Sequence, residues 1–170
     1  QIRALGHDVR LIPPTYVKPY VQRQKNDAAD AAAICEAVSR PHMRNVPIKT
    51  EAQQGALVVH RARDLLTRQR TMILNAIRAH LAEFGIVAAQ GPRHVVDLIA
   101  RMQCEENSVL PTIARRAILA LAAQLASLVQ QINALERELL IWHRTSASSQ
   151  RLATIPGIGI ITATALAASV

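Results

Sequence analysis

Aromatic side chains are scarce in this sequence: Tyr16, Tyr20, Phe84 and Trp142 are all there are in 170 residues, although half of the residues are apolar. The core therefore falls to Ala, Leu, Ile and Val. That composition suits close-packed helices and argues against a β-sandwich or barrel, where aromatic and β-branched residues dominate. Cysteine is nearly absent, and Cys35 and Cys104 stand too far apart for a disulfide framework or a zinc motif. A reducing cytoplasm is the expected compartment. No unbroken apolar run approaches the roughly 20 residues of a bilayer span. Residues 155–170 come closest but are short and rich in Gly, Thr and Ala, so no membrane partner is expected. The opening residues, with Arg3 and His7, are not the basic stub and apolar stretch of a signal peptide, and none is expected. The absent initiator Met and the end at Val170, inside an apolar segment, point to a piece of a longer protein.

What the sequence does hold is positive charge. Twenty basic side chains against 12 acidic ones leave a net charge of +8. Only Lys18, Lys25 and Lys49 are lysines; the rest are arginines, whose planar fork grips phosphate bidentately. Residues 1–85 carry 13 basic and 7 acidic groups, residues 86–170 only 7 and 5, so the field is concentrated over the N-terminal half. Nucleic acid is the partner this balance favours; a solvated basic surface is the plainer alternative.

Residues 1–48 are mixed. Ile2 to Leu5, closed by Gly6, reads as a helix end feeding a short alternating strand over residues 8–12, which stops at Pro13-Pro14. That strand would need sheet partners from outside these residues. Asn26-Asp27-Ala28-Ala29-Asp30 opens an alanine-rich helix to about Ser39, stopped by Pro41. From Thr50 to about Phe84 the pattern predicts a long helix ended by Gly85, with an apolar stripe of Val58, Ala62, Leu65, Leu66, Ile73 and Ile77. Arg61 and Arg68 border one side of that stripe; Arg63, Arg70 and Arg78 lie beyond the other. A shorter helix follows Pro92, from Arg93 to Cys104, and Pro111 marks the next start. There Ile118, Leu121, Leu125, Leu128, Ile132, Leu135, Leu139 and Trp142 recur at alternating steps of three and four, a heptad seam with Gln124, Gln131, Glu136 and Glu138 outside it. The strict 3.5 period predicts an antiparallel coiled coil with the helix over 51–84. Residues 145–150, with Ser146, Ser148 and Ser149, read as a linker rather than a nucleophile site.

Two constellations could carry chemistry. Asp27 and Asp30 stand three apart, so a helix places both carboxylates on one face. Such a pair attracts Mg²⁺, a hard cation that prefers oxygen, and paired metal ions can activate water for phosphodiester cleavage. Capping competes: Asp27 suits an N-cap, and both residues suit the positive start of a helix. The second is Ile155-Pro156-Gly157-Ile158-Gly159 before an apolar helix. Glycines there let backbone N–H groups approach a phosphate, as in a helix-hairpin-helix loop, or simply make a turn. The six histidines (His7, His42, His60, His80, His94, His143) show no paired ligand spacing.

The order of these parts resembles the DEDD family of insertion-sequence transposases. Val9 to Pro14, Tyr16-Val17-Lys18-Pro19-Tyr20 and Gln24-Lys25-Asn26-Asp27-Ala28-Ala29-Asp30-Ala31 resemble the end of its RuvC-like domain. Arg63-Asp64-Leu65-Leu66 and residues 80–87 resemble its helical insert, and Ile155 to Gly159 with Thr162-Ala163 the opening of its C-terminal transposase domain. The resemblance implies a mainly α chain: the C-terminal edge of an α/β RuvC-like domain over 1–48, a helical coiled-coil insert over 49–146, and the start of the transposase domain over 147–170. It implies four acidic residues around divalent metal, of which Asp27 and Asp30 match the last two, and it shifts both from caps toward ligands. The family's nucleophilic serine has no convincing match here; Ser169 lies too close to the Pro-Gly motif. Some members use a structured guide RNA, which suits the arginine excess.

The expected function is accordingly that of a DNA transposase or recombinase fragment with an incomplete Mg²⁺ site at Asp27 and Asp30, itself inactive. Its expected nucleic-acid contacts are Lys25, Arg61, Arg63, Arg68, Arg70, Arg78, Gly157, Ile158 and Gly159. Its expected partners are DNA, a guide RNA and a second copy through the coiled coil. A non-catalytic helical nucleic-acid-binding or dimerisation module is the alternative. A Holliday-junction resolvase relative fits the long insert and the Pro-Gly segment poorly.

Overall fold

A computed structural model describes residues 2–22, 26–87, 89, 91–104 and 110–170, excluding the side chains of residues 92, 101, 103 and 104. The chain is mainly helical: α1 (Pro14–Val17), α2 (Asp27–Ser39), α3 (Glu51–Glu83), α4 (Pro92–Cys104), α5 (Thr112–Thr145), α6 (Ala147–Ala153) and α7 (Ile160–Ser169), with 3₁₀ turns at Ile2–Leu5 and Lys18–Tyr20. It divides into two compact units, one of residues up to Thr50 and one of Glu51–Ser169.

In the first unit the expected strand over residues 8–12 does not form. Leu11 makes a single antiparallel bridge to Val46, whose N–H donates to the Leu11 carbonyl at 2.8 Å, and no strand exists among the described residues. Alternation alone cannot make a strand; it needs a neighbour to complete a ladder, and Pro13-Pro14 removes two donors at once. The helix α2 begins one residue differently from the capping reading. Asn26, not Asp27, is the N-cap: its side-chain oxygen accepts the Ala29 N–H at 2.7 Å. Asp27 and Asp30 are both free of capping and sit in the first turn. Asn26→Ala is expected to cost about 1 kcal/mol of local stability, seen as faster amide exchange in the first turn of α2 with α5 unaffected. Of the described residues in this unit only Ala33 and Ala37 are buried, whereas Leu11, Val21, Ile34 and Val38 are exposed around an apolar groove of about 620 Å³.

The second unit holds the core. The end of α3 is a Schellman turn: Gly85, at φ +75°, adopts the left-handed conformation that only glycine enters without strain, and the Ile86 N–H reaches back to the Leu81 carbonyl at 3.0 Å. Ile86 then packs against the buried cluster to which Leu81 belongs. In α5 the seam faces inward: Ile118, Leu125, Leu128, Ile132 and Leu139 are buried, Leu121, Leu135 and Trp142 half-buried, and Gln124, Gln131 and Glu138 exposed. Ile77 and Leu81 of α3 join Ile118 and Leu125 of α5 in one cluster with Val95, Ile99 and Met102 of α4, while Arg63 meets Glu136 at the other end. α3 and α5 therefore run antiparallel. By length and composition α5 could cross a membrane, contrary to the span criterion applied above. That criterion sought an unbroken run, whereas Gln and Ser interrupt an otherwise apolar window here; the seam is turned against α3.

The stripe read on α3 is rotated. Val58 and Leu65 are 61% and 51% exposed. The inward face is Ala56, His60, Arg63, Thr67, Arg70, Leu74, Ile77 and Leu81, all buried or half-buried and spaced by alternating fours and threes. Hydrophobicity misplaces this face because much of it is polar: His60 and Arg63 meet Thr164 and Glu136, while Thr67 Oγ1 and Arg70 Nε are buried without a partner among the described residues. The serine-rich residues 145–150 are not a linker either. Ser146 accepts the Ser149 N–H and caps α6, and the fully buried Ser149 hydroxyl bonds His143 Nδ1 at 2.7 Å, so α5 and α6 meet at a fixed corner.

Candidate functional site

The first turn of α2 carries Asp27 and Asp30 three residues apart and both exposed, so the two carboxylates project together from one side of the helix start. Asp30 also lines the apolar groove, as do Lys18 and Ile34. The donors are the hard oxygens that Mg²⁺ prefers, but two carboxylates are a partial set: no group of three or more His, Cys, Asp or Glu that could hold a metal ion occurs among the described residues. Further ligands would have to join them.

The arginines of α3 divide by what they touch. Arg63 is half-buried and committed to Glu136 of α5, with Nη2 at 2.6 Å and Nε at 2.8 Å from the same oxygen. Arg70 lies on the same inward face, its Nε buried and unpaired among the described residues. Arg78 donates to the Ala89 and Gly91 carbonyls at 3.0 and 2.9 Å, tying down the approach to α4. Arg63 and Arg78 are thus engaged within the helix assembly. Arg61 and Arg68 face solvent; Arg68 pairs along the helix with Asp64 at 2.6 Å, an exposed pair of little strength. Lys25 lies outside the described residues. Of the five expected arginines of α3, Arg61 and Arg68 are exposed and Arg63, Arg70 and Arg78 half-buried.

The Pro-Gly segment forms the turn between α6 and α7. Gly157, at φ +88°, again needs the left-handed conformation; the Ile158 N–H donates to the Ile155 carbonyl at 3.0 Å, and the Gly159 carbonyl accepts from Ala163 at 2.9 Å. Gly157 and Gly159 are exposed, Ile158 half-buried. The first amides of α7 lack intrahelical acceptors, as at any helix start.

The residues that tie this turn to the long helices escaped the sequence reading. His60 Nε2 lies 3.1 Å from the fully buried Thr164 hydroxyl of α7, and Gln53 Nε2 donates to the Ala167 carbonyl at 3.3 Å. Burial, and then the charge of Arg63, hold the His60 imidazole pKa below its ordinary 6.5. A 3.5-residue count carried through polar positions from Ala56 to Leu81 would have placed His60 on the inward face.

The sequence model of the DEDD_Tnp_IS110 transposase family matches residues 2–86, a stretch that contains Asp27, Asp30 and the whole of α3. The chain belongs to this transposase family. A putative transposase (y4pF/y4sB) of Sinorhizobium fredii is 46% identical over 165 residues, covering 97% of this chain and 42% of its own length. A probable family 20 transposase of Pseudomonas aeruginosa is 44% identical over 170 residues (99% and 50%). The transposase for insertion sequence element IS1328 of Yersinia enterocolitica is 44% identical over 167 (98% and 49%). The chain spans about half the length of these curated relatives. No solved structure matches it.

Proposed function

We propose that this chain is the central part of an insertion-sequence transposase, acting on DNA and linking the acidic end of a RuvC-like domain to the opening of a C-terminal transposase domain. The observation that carries this reading is the family match over residues 2–86, with Asp27 and Asp30 side by side and unengaged by capping. In the complete protein Asp27 and Asp30 would hold Mg²⁺ together with further acidic residues from outside this chain. When bound, the metal supplies the means to activate water and hold a leaving oxygen. In this reading α3 and α5 form an antiparallel coiled coil through which two copies associate, and a structured RNA is a further partner. The protein works in the cytoplasm.

Arg61 and Arg68 are the α3 contacts to phosphate, and the exposed amides of the Gly157 turn supply a second one. This is a smaller electrostatic footprint than the net charge of +8 implies. The 170-residue chain is expected to bind duplex DNA weakly and without sequence preference. Affinity should fall with salt at a log–log slope of about −0.9 per phosphate neutralised. Arg61→Ala should flatten that slope by about one unit, while Arg63→Ala, which breaks an internal ion pair, should lower thermal stability instead. A mobility-shift titration at several salt concentrations, with Mg²⁺ present and products run on a denaturing gel, tests this. Salt-independent binding would refute the phosphate contacts, and metal-dependent cutting by this chain alone would refute the incomplete acidic set.

A further inference from the structure

We propose that His60 is a positioning residue that fixes α7, and with it the Pro156-Gly157 turn, onto the paired long helices through its bond to Thr164. The hydroxyl of Thr164 lies 2.9 Å from both the Ile160 and the Ile161 carbonyls. Its one proton is directed at those acceptors, the usual back-bond of a helical threonine. What it offers His60 is therefore a lone pair, and Nε2 of His60 must carry the proton that spans the 3.1 Å between them. The neutral ring is thereby set in one tautomer. Ala163 and Ala168, both fully buried, let α7 approach closely, and Gln53 makes a second tie to the Ala167 carbonyl. Positions 53, 56 and 60 of α3 recur at helical steps, so a single face of α3 carries the docked helix.

Of these ties only His60 titrates. The charged group acting on it is Arg63 on its own helix, itself paired with Glu136 of α5; α7 carries no ionisable side chain from Ile160 to Ser169. A second proton on the ring would place a cation beside Arg63 in a part-buried site, where burial already disfavours it. His60 released from the dock recovers its ordinary affinity for a proton. The released state thus binds more protons, and docking strengthens as pH rises: it is complete above 6.5 and is lost as pH falls from 6.5 through the lower docked value.

The functional consequence, a phosphate-contacting turn held at a set position, rests on the proposed function; the tie itself does not. Amide exchange of the 170-residue chain, corrected for intrinsic rates, separates the two. His60→Ala is expected to speed exchange over residues 163–169 by about tenfold at neutral pH, the effect of one buried hydrogen bond, while amides around Leu128 keep their protection. His60→Gln, which can still donate to Thr164, should restore most of that protection and remove its pH dependence. Thr164→Val should add nothing to His60→Ala. Unchanged protection of α7 in His60→Ala, or equal pH dependence in the wild type and His60→Gln, would overturn the proposal. So would an equal loss of protection along α5, which would make His60 a support of the long helices rather than a tie to α7. Loss of α7 protection with unaltered DNA binding would leave the tie standing and refute the phosphate role of the turn.

Discussion

Leu128→Asp is expected to unfold the second unit at room temperature, and Leu128→Ala to destabilise it by about 2–5 kcal/mol. Leu128 sits in the middle of the α5 seam, 5% exposed, on the side turned to α3. Truncation to alanine removes apolar contact and leaves a cavity between two helices that cannot fully close. An aspartate there would be an unpaired buried charge, a penalty comparable with the 5–15 kcal/mol that holds a typical domain together. Val129, the next residue, is exposed. Val129→Asp should therefore shift the melting temperature by only a degree or two, within the small range of surface changes. Thermal melts of the two aspartate variants, followed by circular dichroism at one protein concentration, decide the matter. Equal melting would show that the seam does not carry the assembly. A melting temperature that rises with protein concentration in the wild type would add that association of copies contributes to it.

In the full-length transposase, Asp27→Asn or Asp30→Asn is expected to lower strand exchange at least about 100-fold, since losing even a group that only supports a metal ligand costs 10–100-fold. An amide keeps the shape of the side chain but is a neutral, weaker oxygen donor that cannot offset the charge of a divalent cation. DNA binding should change by less than about twofold, because both residues are exposed carboxylates that phosphate contacts do not need. Asn26→Ala is the control that separates ligation from helix integrity. It removes the cap of the same helix turn and leaves both carboxylates in place. If exchange falls as far in Asn26→Ala as in the aspartate variants, the pair acts only through α2. If exchange survives both aspartate substitutions, neither residue is a ligand.

The fold was legible where a pattern is local or strictly periodic. The Gly85 end of α3 and the start of α5 after Pro111 follow from backbone rules that operate within a few residues, a residue free to take positive φ and a ring that blocks a donor, whereas the cap of α2 fell on Asn26 rather than on the expected Asp27. The seam of α5 follows from its 3.5-residue period because every position in it is apolar, so the side that must leave water is unambiguous. The same logic failed on α3. Its inward face mixes Leu74, Ile77 and Leu81 with His60, Arg63 and Arg70, and counting apolar residues rotated the stripe so that Ile77 fell inside, Ala62, Leu66 and Ile73 at its border, and Val58 and Leu65 in solvent.

The paired carboxylates were legible for a comparable reason, since a separation of three residues fixes their common direction once the segment is helical. The sequence by itself determined the long helices α3 and α5, the Gly85 end of α3, the α5 seam, the shared face of Asp27 and Asp30, and the glycine turn before α7. Only the tertiary structure decided which arginines face solvent and which are consumed inside, that His60 meets Thr164 across 104 residues of chain, and that residues 8–12 lack a ladder. Polar burial and strand pairing depend on the rest of the chain: the Arg63 guanidinium goes inside where Glu136, 73 residues on, awaits it, and an extended segment becomes a strand only when another lies beside it.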